Sequence, residues 1–140
     1  MIILSADLRS FLMEGNHTGK IATVRADGRP HIAPVWYGID GDTLVFLVGE
    51  KSVKAINLRQ NNRIAFCIDD ERPPFSFATI EGTVTLSDDL NEIKHWATTL
   101  GGRYMGQDNA AEYGERNGVP GQLVVHITPT HIVFHRDIAS

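Results

Sequence analysis

A chain of 140 residues with net charge -4 is the length of one domain, and it carries no basic excess for a nucleic-acid groove. Its lysines and arginines are dispersed among acids, and no stretch interleaves aromatic with basic residues, so no nucleic-acid partner is expected. No run approaches the ~20 apolar residues of a membrane span, and the start Met1-Ile2-Ile3-Leu4, followed by Ser5, Asp7 and Arg9, lacks the features of a signal peptide. The expectation is a soluble, cytoplasmic single domain over residues 1–140 with no membrane association.

Residues 5 to 13 place Leu8, Phe11 and Leu12 on one helical stripe, with Gly15 after the stop. The period then changes to that of strands. Residues 19 to 26 and 30 to 38 flank Asp27-Gly28, a tight-turn signal, and Asp40-Gly41-Asp42 leads into a strand over 43 to 48. Three strands joined by two short turns predict an antiparallel meander. A helix over 51 to 59 interrupts it, with Val53, Ala55 and Ile56 available for its inner face. Strand 63 to 69 follows, then a loop, since Asp69-Asp70-Glu71-Arg72-Pro73-Pro74 does not suit a sheet interior.

Strand 75 to 86 contains Gly82, a mark of a bulge, a bend or a close backbone approach. Asp88 or Asp89 caps a helix over 89 to 100 with Ile93, Trp96, Ala97 and Leu100 inward, and Gly101-Gly102 is expected to end it. Residues 103 to 119 read as a less regular polar segment. Two last strands, 121 to 128 and 131 to 137, are divided by Pro129-Thr130. Seven strands with peripheral helices predict an all-β fold, a closed or nearly closed and mainly antiparallel barrel that removes exposed edges.

The run Gly49-Glu50-Lys51-Ser52-Val53-Lys54 sets two lysines and a serine at a helix start, directly after the apolar strand Leu44 to Val48. Free amides there favour an anion, and a phosphate is the natural candidate; a solvated amphipathic helix is the alternative. Arg59 and Arg63 beyond the helix are candidate further donors or plain surface residues. Pro34 lacks a backbone donor and marks a strand edge or bulge, where neighbouring peptide groups can meet a ligand. Trp36 suits either core or pocket wall. Asn57 is expected to tie down the turn after its helix, and Cys67, in the apolar run Ile64 to Ile68, to be a buried thiol.

No serine elbow, phosphate-binding Walker loop or His-Glu-x-x-His is present. Of the six histidines, His131 and His135 share one strand face but stand ~13 Å apart, too far to chelate one metal directly, and no metal site is assigned. With no catalytic constellation of its own, any reaction here is expected to be carried by a bound cofactor.

The segments Gly19 to His31, Pro34-Val35-Trp36-Tyr37, Asp42 to Phe46, Lys54-Ala55-Ile56-Asn57-Leu58, Asn62-Arg63-Ile64-Ala65 and Ile80-Glu81-Gly82-Thr83-Val84 carry a resemblance. In order and spacing they resemble the pyridoxamine 5'-phosphate oxidase-like, flavin-binding split-barrel superfamily, and within it the small single-domain branch of deazaflavin-dependent enzymes. The resemblance implies a split barrel and a homodimer with a cofactor site at each interface. Ala33, Pro34, Val35 and Trp36 would line the cofactor ring, Val48 and Gly49 its ribityl chain, and Lys51, Ser52 and Lys54 its phosphate, Lys54 holding the lysine position of the Lys-x-x-Asn-Leu pattern. The second subunit would contribute Phe77, with Phe75, and Arg103 and Tyr104.

FMN is the implied cofactor and the deazaflavin coenzyme F-420 the alternative, since both have a tricyclic ring, a ribityl chain and a phosphate. Lys20, Arg25 and Arg29 would form a basic outlet for the longer deazaflavin tail. The implied activity is hydride transfer between FMN and a small conjugated or aromatic substrate; a deazaflavin-dependent reductase and a non-catalytic flavin- or haem-binding protein are the alternatives. The oxidases themselves carry a longer, basic C-terminal segment, so pyridoxamine phosphate is not the expected substrate. No residue is given a catalytic role.

Overall fold

A computed structural model describes residues 2–140; Met1, part of the expected domain over 1–140, lies outside the described residues. The element order is α1 (Ala6–Met13), β1 (Gly19–Val24), β2 (Pro30–Val35), β3 (Gly38–Asp40), β4 (Thr43–Gly49), α2 (Val53–Gln60), β5 (Arg63–Asp70), β6 (Ser76–Ser87), α3 (Leu90–Met105), α4 (Ala110–Asn117) and β7 (Gln122–His135), with a 3-10 turn at Gln107–Asn109. The seven strands form one antiparallel sheet in the order β2-β1-β5-β6-β7-β4-β3. The sheet does not close, and the fold is a split barrel with peripheral helices.

The split corrects the expected meander. β1 pairs with β2 and β3 with β4, but β2 and β3 stand at opposite edges of the sheet. A single strand over 30 to 38 is excluded by what happens at Trp36 and Tyr37, which join the two edges. The Tyr37 N–H donates to the Tyr104 hydroxyl at 3.2 Å, and its carbonyl accepts from Arg103 Nη1 at 2.5 Å. Side chains satisfy this peptide, so it needs no strand neighbour.

The last two expected strands are one. β4 pairs with β7 only as far as Ile127, so Pro129 lacks a β4 neighbour that would require its N–H. On the other side the register slips between Glu81 and Gly82, Thr130 is the extra residue, and its hydroxyl donates to the Glu81 carbonyl at 3.2 Å. A Cβ at Gly82 would lie 2.5 Å from the Thr128 carbonyl oxygen, which explains the glycine.

Gly101-Gly102 does not end α3. A Cβ at Gly101 would meet Tyr113 Cβ at 2.5 Å and one at Gly102 the Gln107 side chain at 2.7 Å, so the pair lets α4 and the turn before it pack closely. Asp69 and Asp70 are also not loop residues: they close β5, opposite Phe77 and Ser76.

The main core fills the curled sheet with Phe11, Leu12, Ile21, Tyr37, Phe46, Phe66, Ile80 and Ile127, all essentially inaccessible to solvent. A second cluster lies between α3 and the outer face of β4 and β7, where Val45, Ile93, Trp96, Leu100 and Val124 meet Trp36, Leu47 and Tyr104. Ser5 caps α1 by accepting from the Leu8 N–H at 3.2 Å. Helix α2 turns a different face inward from the one expected. Ala55, Asn57 and Leu58 are buried, whereas Val53 and Ile56 are 44% and 47% exposed. Asn57 fixes that face by donating to the Thr23 hydroxyl at 3.0 Å, tying α2 to β1 through its side chain.

Candidate functional site

A cleft of about 270 Å³ opens where the end of β2, the end of β4 and the start of α2 meet α3 and the α4–β7 connection. Pro34, Val35 and Trp36 form one wall, Leu47, Val48 and Gly49 the floor, and Ala97 and Leu100 of α3 the apolar side facing them. Lys54, Asn117 and Gln122 supply the polar part. Proline is accommodated at position 34 because β2 is an edge strand, with no neighbour beyond it to bond. Gly49 does not have a positive φ, and a Cβ there would meet no atom within 4 Å, so neither backbone conformation nor packing calls for glycine. Its bare backbone keeps the floor of the cleft clear.

Lys54 is half-buried and makes no ion pair or side-chain hydrogen bond among the described residues. It is the sole charged side chain lining the cleft among the described residues. Ser52 caps α2: its hydroxyl donates to the Gly49 carbonyl at 2.7 Å and accepts from the Ala55 N–H at 3.2 Å, and its carbonyl takes the Ile56 N–H at 3.0 Å. Among the described residues the N–H groups of Val53 and Lys54 have no acceptor and remain for another one at the positive end of the helix. An uncompensated ammonium, two free amides and a cleared floor fit an anionic group attached to a flat apolar one.

Trp36 completes the wall begun by Pro34 and Val35. Its indole lies parallel to the Tyr104 ring, with centroids 5.1 Å apart and planes 5° apart, and meets Tyr113 edge-on at 6.0 Å. Tyr104 and Arg103 themselves are tied into the fold. The Tyr104 hydroxyl donates to the His17 carbonyl at 2.7 Å, while Arg103 donates to the carbonyls of Tyr37 and of Leu12 (2.8 Å) and lies 4.5 Å over the Tyr37 ring. The Tyr37 hydroxyl also donates to the Leu12 carbonyl. Burial pushes the Tyr37 phenol up to about 12, against the opposing pull of Arg103, and raises Tyr104 as well.

A profile of the pyridoxamine 5'-phosphate oxidase family matches residues 4–136. The chain belongs to that family. Among solved structures, a conserved hypothetical protein from Mycobacterium tuberculosis is similar at TM-score 0.81 and 21% identity, over 96% of this chain and 85% of that one. An F-420 reductase is similar at TM-score 0.71 and 25% identity, over 89% of this chain and 94% of its own. A haem storage protein from Vibrio cholerae shares the fold at TM-score 0.70 and 15% identity, with 94% of each chain covered. The same fold thus occurs in proteins described by different ligands.

In this pyridoxamine-phosphate-oxidase-family chain, Pro34, Val35, Trp36, Val48, Gly49 and Lys54 come together in the cleft as one set. Ala33 is next to that wall on β2 without lining it, and Lys51 is exposed ahead of α2. Arg103 and Tyr104 stand behind the wall, and Phe77 lies elsewhere, beside Cys67, Phe75, Ile32 and Ile138 on the outer face of β5 and β6. Cys67 is half-buried there, not enclosed in the core, and burial pushes its thiol up, with Asp69 adding to the effect.

Arg59 donates to the Glu50 carbonyl at 2.7 Å and does not line the cleft. Lys20 is paired with Asp69 at 3.4 Å and Arg29 with Asp27 at 2.8 Å. Glu14, His17 and Asp70 bring ligand-type atoms within 4.8 Å of one another, but both Asp70 oxygens already hold the Arg72 guanidinium at 3.0 Å. Sequence reasoning missed Ala97, Leu100, Asn117 and Gln122. Ala97 and Leu100 were legible only as inner-face helix positions, and Asn117 and Gln122 carried no signal beyond being polar residues near a turn. No helix among the described residues is long and apolar enough to cross a membrane.

Proposed function

We propose that this chain is a flavin-dependent oxidoreductase that holds FMN in the cleft and serves hydride transfer to or from a small conjugated or aromatic substrate. One observation carries the proposal: the uncompensated Lys54 ammonium and the cleared floor at Gly49 lie in one cleft with the aromatic wall of Trp36. When bound, the flavin supplies the hydride chemistry. Lys54 and the amides of Val53 and Lys54 hold the phosphate. Peptide groups on the open edge of β2 near Val35 meet the polar rim of the ring, and the stacked Trp36–Tyr104 pair keeps that wall rigid and excludes water.

The acting unit is a cytoplasmic homodimer whose second copy completes each site. Support comes from the cleft volume, about 270 Å³, which falls just below the ~300–1,000 Å³ of ligand sites and suits a site that a second copy enlarges. Exposed apolar side chains lie near it, Val53 and Ile56 on α2, and a second patch holds Ile32, Phe75 and Ile138, at 70%, 44% and 54% exposure. Phe75 is held at φ 67°, an uncommon backbone state for a bulky residue, which suits an aromatic presented for contact.

The likeness to an F-420 reductase favours a second reading, a deazaflavin-dependent reductase. Against it, two of the three candidate outlet residues are neutralised, Lys20 by Asp69 and Arg29 by Asp27, while Arg25 donates to the Pro30 carbonyl at 2.8 Å.

Absorbance and mass of the ligand released from the purified protein, followed by titration with FMN and with coenzyme F-420, test the proposal. Binding of FMN tighter than F-420 is expected, and Gly49→Val should abolish it while leaving the fold intact, since a strand tolerates valine. Sedimentation across a dilution series should show a dimer that persists to lower concentration when FMN is present. Failure to bind either cofactor at micromolar concentration sinks the oxidoreductase reading; a Soret band from bound haem replaces it with haem binding.

A further inference from the structure

We propose that Asn117 and Gln122 form an amide pair that reads the hydroxyl chain of the cofactor, making this site selective for a ring carried on a polyol. The inference rests on the flavin reading and deepens it.

Both residues line the cleft, both are half-buried, and neither side chain has a hydrogen-bond partner among the described residues. Asparagine is a poor choice at the last helical position of α4 on propensity alone, and it caps nothing there: the Gly118 N–H that closes the helix goes to the Gly114 carbonyl at 2.9 Å. Gln122 opens β7 directly opposite Gly49 of β4. Paired residues on adjacent strands stand about 5 Å apart, so the Gln122 amide borders the backbone that keeps the cleft floor clear.

The chemistry of the pair selects its ligand. Each primary amide offers two donors and an acceptor, so it can both give to and take from a hydroxyl, which is itself donor and acceptor. A phosphate is acceptor-rich and is better matched by Lys54, and a tricyclic ring by Pro34, Val35 and Trp36. Between those two ends, beside Gly49, the groups left for the amides are those of the linking chain. Asn117 reaches this position because α4 folds back along α3, whose Ala97 and Leu100 line the same cleft.

Titration of riboflavin, FMN and lumiflavin into the wild type, Asn117→Ala, Gln122→Ala and Lys54→Ala tests the assignment. Lumiflavin has the ring without the hydroxyl chain, and riboflavin has the chain without the phosphate. Each amide variant should weaken FMN and riboflavin about 3- to 10-fold, the effect of one neutral hydrogen bond, and leave lumiflavin unchanged. Lys54→Ala should weaken FMN alone. Unchanged riboflavin affinity in both amide variants overturns the proposal, as does an equal loss for lumiflavin, which would mark a general change of shape. If the wild type binds none of the three, the flavin reading falls and this assignment falls with it.

Discussion

Two clusters of polar side chains flank Trp36, and they are opposites. Behind it, Arg103, Tyr104 and Tyr37 form a knot in which guanidinium and hydroxyls all meet carbonyls, joining α3 to the end of α1 and to the peptide that crosses between the edges of the sheet. In front of it, Lys54, Asn117 and Gln122 line a cleft and have no protein partner among the described residues. Burial makes a polar group costly unless it is bonded, so the knot is explained by the fold itself. The cleft set has no such explanation within the fold, and the ligand proposed above would supply its partners. The contrast matters because Arg103 and Tyr104 on one side and Lys54 on the other all suit a cofactor site as residue types.

The sharpest way to break the comparison is Arg103→Ala. It removes the guanidinium from the Tyr37 and Leu12 carbonyls, leaving Leu12 only the Tyr37 hydroxyl, and a loss of about 3 kcal/mol of folding stability is expected in urea denaturation. Arg103→Lys should recover only part of this, because an ammonium cannot fork between two carbonyls. Near-wild-type stability of Arg103→Ala, with impaired ligand binding, would place Arg103 among the ligand-facing residues and erase the distinction.

Lys54→Ala should do the reverse. Folding stability should stay within about 0.5 kcal/mol, since no hydrogen bond or ion pair among the described residues is lost, while FMN affinity falls by about 1.5–3 kcal/mol in calorimetric titration. A melting change as large as that of Arg103→Ala would indicate a structural job for Lys54.

A smaller effect sharpens the satisfied side of the comparison. Glu92 of α3 is hydrogen-bonded to His126 of β7, and that bond first, with His126 and His95 charge adding to it, holds the Glu92 carboxyl below its usual 4.5. A carboxyl whose folded value is depressed stabilises the fold above its unfolded value, and the gain is lost as pH falls through the folded one. Glu92→Gln should therefore cost about 1 kcal/mol near neutral pH and progressively less below about pH 4.5. A cost that stays constant into acid would assign the effect to packing.

Much of this was legible in the chain. Alternating strands, the stripe Leu8, Phe11 and Leu12, the Gly82 irregularity and the edge position announced by Pro34 all follow from local periodicity and backbone chemistry. Half of the cleft was legible through the family resemblance, because Pro34 to Trp36, Val48, Gly49 and Lys54 lie on three short neighbouring segments that carry its pattern. The length of α3 was not legible, because Gly101 and Gly102 read locally as a stop and only the approach of Tyr113 and Gln107 explains them. The inner face of α2 was misjudged for a similar reason: Asn57 outranked Val53 and Ile56 through a bond to Thr23, 34 positions away.

What the sequence determined by itself is therefore most of the strands and helices, though not where one strand breaks or two run on as one, and the lysine at the start of α2, since these depend on residues within a few positions of one another. Tertiary structure alone decided which polar groups have partners. Arg103 meets the carbonyl of Leu12 across 91 positions, and Asn117 and Gln122 meet the β4 floor only after α3 has packed on the outer face of the sheet. Whether a polar side chain is bonded or free depends on such distant neighbours, and no local pattern encodes them.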